Sequence, residues 1–224
     1  MGIITISRQF GSGGDEIAQQ LCQKLGYRMF NKLMVVEAAR EAGVSTTEIA
    51  DYSEENYKIR SFFERLFGGP ISAPYGGLWP DDLSAYYRDE DLRLREEDQL
   101  QLVRKAIWRA YQTDNVVIVG RGGQVILRDN PGALHVRIVA PLEDRIERTA
   151  ARLQQAGAQR GVDTGLHRKA HEQVLQEDAK SEDYIKRFYK ANWDDPLLYH
   201  LIINTGRIDI DQAVKLIAQL VDTV

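Results

Sequence analysis

Ile3-Ile4-Thr5-Ile6-Ser7-Arg8-Gln9-Phe10-Gly11-Ser12-Gly13-Gly14-Asp15-Glu16-Ile17 is the stretch that decides the fold. Its first half is short, apolar and rich in β-branched residues, which reads as a buried strand over residues 2–7. A glycine-rich turn follows, after which Ile17, Leu21 and Leu25 recur at helical spacing until Gly26 stops the helix. Strand, glycine turn and helix are the setting of a phosphate-binding loop. Its full form reads G-x-x-x-x-G-K-S/T: backbone N–H groups wrap the phosphates, the lysine reaches the outer ones and the hydroxyl holds magnesium. With Gly13 as the second glycine, Arg8 stands at the first, Gly14 at the lysine and Asp15 at the hydroxyl. The main-chain cradle is kept and its usual cation is missing.

Working outward, Tyr27 to Phe30 is expected to form a second short strand, and helices are expected from about residue 31 to the mid-sixties, with a capped restart at residues 44–48. Residues 68–80 form a glycine- and proline-rich loop. A charged helix with an inner stripe of Leu100, Val103, Ile107 and Tyr111 comes next. Val116 to Val119, His135 to Val139 and Leu201 to Ile203 read as further core strands. Residues 141–156 and about 166–191 read as charged helices around a polar break. Ile210, Val214, Ile217 and Val221 give the last helix its apolar face. Strands alternating with helices imply an α/β fold, a mainly parallel sheet covered on both faces with ligands at the carboxyl ends of its strands.

The chain has 224 residues and a formal net charge of −4, so no general basic field argues for nucleic acid as a specific partner. Its one cysteine, Cys22, forms no internal disulfide, and no signal pattern precedes the first strand; a cytoplasmic setting is expected. The apolar runs are too short to span a bilayer, so no membrane partner is expected. The four histidines show no metal-ligand spacing, and no Ser/His/Asp nucleophile arrangement stands out.

Residues 4–14, Val117-Ile118-Val119-Gly120-Arg121-Gly122, Ala140-Pro141-Leu142-Glu143-Asp144-Arg145-Ile146 and Trp193-Asp194-Asp195-Pro196 with Tyr199 to Gly206 together resemble the cytidylate kinase-like family. The blocks keep their order over nearly the whole chain. The resemblance implies a three-layer P-loop NTPase fold with a five-stranded sheet, in one domain spanning residues 1–224. Its core would be 1–30, 114–150 and 198–224, with a helical acceptor-binding region at about 31–113 and a lid at about 151–191. It also implies ATP-dependent, Mg2+-dependent phosphoryl transfer to CMP or another small phosphate-bearing acceptor. The sequence departs from authentic cytidylate kinases in three places. Gly14 replaces their loop lysine. Their acceptor-binding G-R-D is Gly120-Arg121-Gly122 here. Their lid pattern is only approximated by Glu177-Asp178-Ala179-Lys180-Ser181.

Arg8, Gly11, Ser12, Gly13 and Gly14 form the anion cradle, with Arg8 as a substitute for the lysine. The bland alternative is a tight turn in which the glycines only permit packing. Asp15 and Glu16 either compete with phosphate for the helix dipole or hold magnesium. Arg121 is read as the acceptor contact. Arg145, spaced with Arg148 and Arg152, faces a triphosphate or else lies on a salt-bridged surface. Asp178, Lys180 and Arg187 are the lid groups singled out, and Lys32 is the second candidate for the missing cation. Asn204 to Arg207 follow the last strand, where P-loop kinases contact the donor base, so the backbone there is read as meeting adenine; a helix-capping turn explains the same letters. Asp194-Asp195 suits turn chemistry better than a metal. Two other functions stand beside the kinase: a catalytically silent nucleotide- or phosphate-binding regulatory module, and a scaffold using residues 68–80. A homodimer is left open.

Overall fold

The computed structural model describes residues 2–30, 34–35, 96–113, 115–156 and 165–223. Of the helices expected from about residue 31 to the mid-sixties, only residues 34–35 are described, and these are helical. The restart at 44–48, the loop at 68–80, most of the polar break and Lys32 lie outside the described residues. The chain divides into two compact units, residues 31–112 and the rest.

The larger unit contains a sheet of five parallel strands. These are β1 (Ile3–Arg8), β2 (Arg28–Met29), β3 (Val116–Val119), β4 (Ala133–Val139) and β5 (Leu201–Asn204), in the order β2-β3-β1-β4-β5. β1 pairs with β3 on one side and β4 on the other. The chain leaves β1 past β3 to β2 on one side, and β3 then crosses back over β1 to β4 on the other, which puts the switch point at the carboxyl end of the central strand. The helix α1 (Gly14–Leu25) starts at that switch point and ends at Gly26, whose left-handed φ of 69° lets the next amide, that of Tyr27, reach the carbonyl of Cys22. In the smaller unit, Leu100, Val103 and Ile107 are buried along α2 (Glu96–Thr113), and Tyr111 is partly buried. The four-residue α3 (Gly123–Ile126) has no counterpart in the sequence reading. The long helices α4 (Leu142–Ala156), α5 (Leu166–Tyr189) and α6 (Ile210–Leu220) match expectation to within a few residues at their ends.

The two faces of the sheet are filled by different chemistry. Ile4, Ile6, Val117, Leu134, Val136, Ile138 and Ile203 meet Ile17 and Leu21 of α1 and Val214 and Ile217 of α6 in one apolar cluster. The alternate positions Thr5, Ser7, His135 and Arg137 face the other way and are buried polar groups. They are satisfied in two networks. Trp193 Nε1 donates to Ser7 Oγ at 2.8 Å, while the Arg137 guanidinium stacks over the Trp193 ring at 4.3 Å and bonds to Asp194. In the second network, Thr5 Oγ1 donates to His135 Nδ1 at 2.7 Å, and His135 Nε2 donates to the Leu127 carbonyl at 3.2 Å.

That second network makes stability sensitive to acid. Burial, followed by the neighbouring His200, lowers the His135 pKa to about 4. The unfolded chain takes up the proton first, so stability is lost as the pH falls from the ordinary value of 6.5 to about 4. The slope is about 1.4 kcal/mol per pH unit. His135→Gln is expected to flatten this dependence, which urea unfolding at pH 7 and pH 5 measures directly.

Candidate phosphate-binding site

The turn at residues 9–13 is held by bonds that come from three distant segments. Gly11 and Gly13 have φ of 77° and 83°, conformations that glycine adopts without steric cost. At Gly11 a Cβ would lie 2.6 Å from the Arg145 carbonyl, and at Gly13 it would lie 2.6 Å from Ile210 Cδ1. The Phe10 amide donates to Asp178 Oδ1 at 2.8 Å, and the Phe10 side chain packs against Ile146, Ala170 and Val174 of α4 and α5. The Ala140 amide donates to Gln9 Oε1 at 3.1 Å. Thr205 Oγ1 donates to the Ser12 carbonyl at 2.7 Å and accepts from Arg148 Nη1 at 3.0 Å. No side chain caps α1 at Gly13. The first-turn amides have no acceptor inside the helix, and the positive end of its dipole lies at this turn.

Arg8 ends β1 and crosses the mouth of this turn. Its Nε donates to Asp15 Oδ1 at 3.0 Å, and its Nη1 lies 3.4 Å from where a Gly120 Cβ would stand. Gly120, Arg121 and Gly122 follow β3 with φ of 67°, 59° and 71°. For Arg121 this left-handed backbone carries strain, a feature that clusters at ligand clamps. The side chain is fixed by a bond from Nη1 to the Phe30 carbonyl at 3.2 Å and by stacking on the Phe30 ring at 4.7 Å. Burial and then the charge of Arg8 push the Arg121 pKa down to about 9, with Tyr184 opposing. A cation pressed between a desolvating wall and another cation is stabilised by any anion that enters between them.

The remaining candidates separate by what they touch. Arg145 is buried, and its guanidinium serves the Ala140 carbonyl, the Phe10 carbonyl and, at 2.5 Å, Asp178 Oδ2. Both oxygens of Asp178 are thereby engaged in holding the loop, so this pair positions the cradle. Lys180 bonds to Glu177 one turn back, and Arg187 is exposed beside Phe188. Glu16 is exposed, and Asn204 accepts the Gly206 amide in a turn at the end of β5. Asp195 caps a short 3-10 helix and Asp194 bonds to Arg137, as turn chemistry predicts. Ser12 Oγ is buried with no hydrogen-bond partner among the described residues. Sequence reasoning gave no role to the side chains of Gln9, Phe30 or Tyr189, and gave Thr205 only a place in the segment expected at the donor base. The only signal for Thr205 and Tyr189 was their place near strand and helix ends.

A sequence model of the cytidylate kinase-like family matches residues 3–207. Over 220 residues the chain is 27% identical to a cytidylate kinase of Archaeoglobus fulgidus, covering 98% of this chain and 94% of that protein. Against a cytidylate kinase of Methanocaldococcus jannaschii, identity is 23% over 223 residues, covering 98% and 97%. A 108-residue match to uronate isomerase of Corynebacterium glutamicum, at 32% identity, takes in 48% of this chain and only 19% of that protein. Among solved structures, a protein from Eubacterium ventriosum has the same fold over the full length of both chains, with a TM-score of 0.62 at 21% identity. No helix among the described residues is long and apolar enough to cross a membrane.

Proposed function

Because the chain belongs to the cytidylate kinase-like family, we propose that it binds a nucleoside triphosphate in the cradle at residues 11–14. It then transfers a phosphoryl group from ATP to a nucleoside monophosphate, CMP being the first acceptor to test, or to another small acceptor. The observation that carries this reading is the glycine turn opening α1 at the carboxyl end of β1, with Arg8 bonded across it to Asp15 and the charge of Arg121 close enough to interact with that of Arg8. In-line transfer asks the protein for positioning and charge neutralisation and for no nucleophilic side chain. Cys22 agrees with this: burial raises its thiol pKa to about 11, which keeps it protonated.

In the proposed arrangement the cradle amides and Arg8 hold donor phosphates, Arg121 holds the acceptor, and the turn at Asn204 meets the donor base. Lys180 and Arg187 supply lid cations. Asp15 stands at the motif's hydroxyl position, and with its Oδ1 taken by Arg8 it would have Oδ2 left for Mg2+. Among the described residues no group of three His, Cys, Asp or Glu offers an all-protein cage, and Mg2+ in kinases is held by one or two carboxylates plus the substrate's own phosphates. When bound, the ion supplies charge neutralisation. The same reading places the protein in the cytoplasm.

A second reading, a silent nucleotide-binding regulatory module, is favoured by Gly122, which lacks the acceptor carboxylate and is covered by the Tyr189 ring. Thermal stability with ATP, GTP, CMP and phosphate, each with and without Mg2+, followed by coupled ADP release, separates the two. Stabilisation with turnover supports the kinase; stabilisation without turnover across a panel of acceptors supports the module. No stabilisation by any nucleotide removes both. For the kinase, Arg121→Met is expected to raise the acceptor KM about 30-fold, the loss of one charged hydrogen-bond set. ATP-induced stabilisation should be retained. An unchanged KM would take Arg121 out of the acceptor site.

A further inference from the structure

The Arg8 stem and the first residue of α1 occupy one space. A Cβ added at Gly14 would stand 2.5 Å from Arg8 Cβ and 2.8 Å from Arg8 Cγ, the near end of the side chain and not its flexible tip. The Gly14 backbone is helical with no positive φ, so conformation does not call for glycine there. The absence of a Cβ is what the site requires. Because the clash reaches the Cβ of residue 8 itself, any side chain at 8 excludes one at 14. The full motif carries glycine at the first position and lysine at the second; this chain carries arginine and glycine.

Resting on the nucleotide-binding reading above, we propose that Arg8 and Gly14 are a compensating pair. The phosphate-binding cation has moved from the first residue of α1 to the last residue of β1, where the Arg8 guanidinium takes the outer phosphates of a nucleoside triphosphate and Arg121 is left to the acceptor. Three further observations support this placement of the Arg8 guanidinium. Asp15 holds Arg8 Nε at 3.0 Å, which fixes the guanidinium beside the helix N-terminus. Its Nη1 extends to Gly120, directly before Arg121. The two arginines are close enough for Arg8 to lower the Arg121 pKa. A planar fork engages two phosphate oxygens at once, where lysine offers a point charge. A guanidinium placed for the outer phosphates favours the ligand that carries them, so affinity should rise from mono- to di- to triphosphate.

The test has a steric arm and a binding arm. Gly14→Ala in the otherwise native chain is expected to lower Tm by roughly 5 °C through overpacking. Placed on Arg8→Gly, the same change should lower Tm by nothing or raise it. Equal effects of Gly14→Ala in both backgrounds would overturn the pairing. Calorimetric titration with a non-hydrolysable ATP analogue and Mg2+ forms the second arm. Arg8→Gly is expected to weaken binding about 30-fold, and Arg8→Gly with Gly14→Lys to restore it to within about tenfold of the native chain. A native protein that binds the analogue, alongside an Arg8→Gly variant that binds within threefold of it, overturns the moved cation and leaves the parent reading intact. A native protein that binds no nucleotide overturns both.

Discussion

Asp178→Ala is expected to cost about 4 kcal/mol of stability, the largest single effect foreseen for a site that touches no ligand. Its partner Arg145 is 7% exposed at the side chain and Asp178 is 19% exposed, so the pair is screened little by solvent. Removing the carboxylate leaves a buried guanidinium with only the Ala140 and Phe10 carbonyls, and it strips the Phe10 amide of its acceptor. Asp178→Asn keeps an acceptor for Phe10 and loses the charge, so about half the cost is expected. Changing both Arg145 and Asp178 to leucine removes the unpaired charge and should cost less than Asp178→Ala alone, as replaced buried pairs do. Urea midpoints followed by circular dichroism measure all three. A loss below about 1 kcal/mol in the alanine variant would show that the pair is not the anchor of the loop.

The site's scaffold was legible in the sequence because it is written in local signals. The β-branched run before Arg8, the stripe of Ile17, Leu21 and Leu25, and the stop at Gly26 each lie within a few residues of one another and correspond to β1, α1 and its cap. The same holds for Val116–Val119 and for the apolar face of Ile210–Leu220. What escaped notice is carried by pairs far apart in the chain. Asp178 meets Phe10 across 168 positions, and Trp193 meets Ser7 across 186. Neither spacing leaves a trace in a window of any practical length. The charged residues posed a related problem. Arg8 and Arg145 lie near the end of a strand and the start of a helix and Asp178 lies midway along α5, and sequence alone does not say whether such a group holds a ligand or holds the loop that holds a ligand. Geometry separates them: Arg145 and Asp178 bond to each other and to Phe10, while Arg8 crosses the open side of the turn. The departure at Gly14 was visible as a letter out of place, but its dependence on Arg8 is a distance of 2.5 Å that no spacing rule contains.

Gly122→Asp, which rewrites Gly120-Arg121-Gly122 into the acceptor-binding triplet of authentic cytidylate kinases, is expected to destabilise the protein by about 3 kcal/mol. Residue 122 has a φ of 71°, where a side chain costs about 1 kcal/mol. A Cβ there would lie 2.5 Å from Tyr189 Cε2 and 2.8 Å from Cζ, so the ring must move, at about 2 kcal/mol more. The ring is not idle: its hydroxyl donates to the Arg121 carbonyl at 3.3 Å and its edge meets Tyr184. Tyr189→Ala removes the obstruction, so the aspartate should cost at least about 1 kcal/mol less in that background than in the native one. The same four proteins address acceptor identity. If glycine and tyrosine together have replaced a carboxylate that faces the acceptor base, the double variant should bind CMP about tenfold more tightly than Tyr189→Ala alone, one charged hydrogen bond regained. Equal affinities would place acceptor selection elsewhere, while the steric result would stand on its own: the Tyr189 ring and a side chain at residue 122 exclude each other.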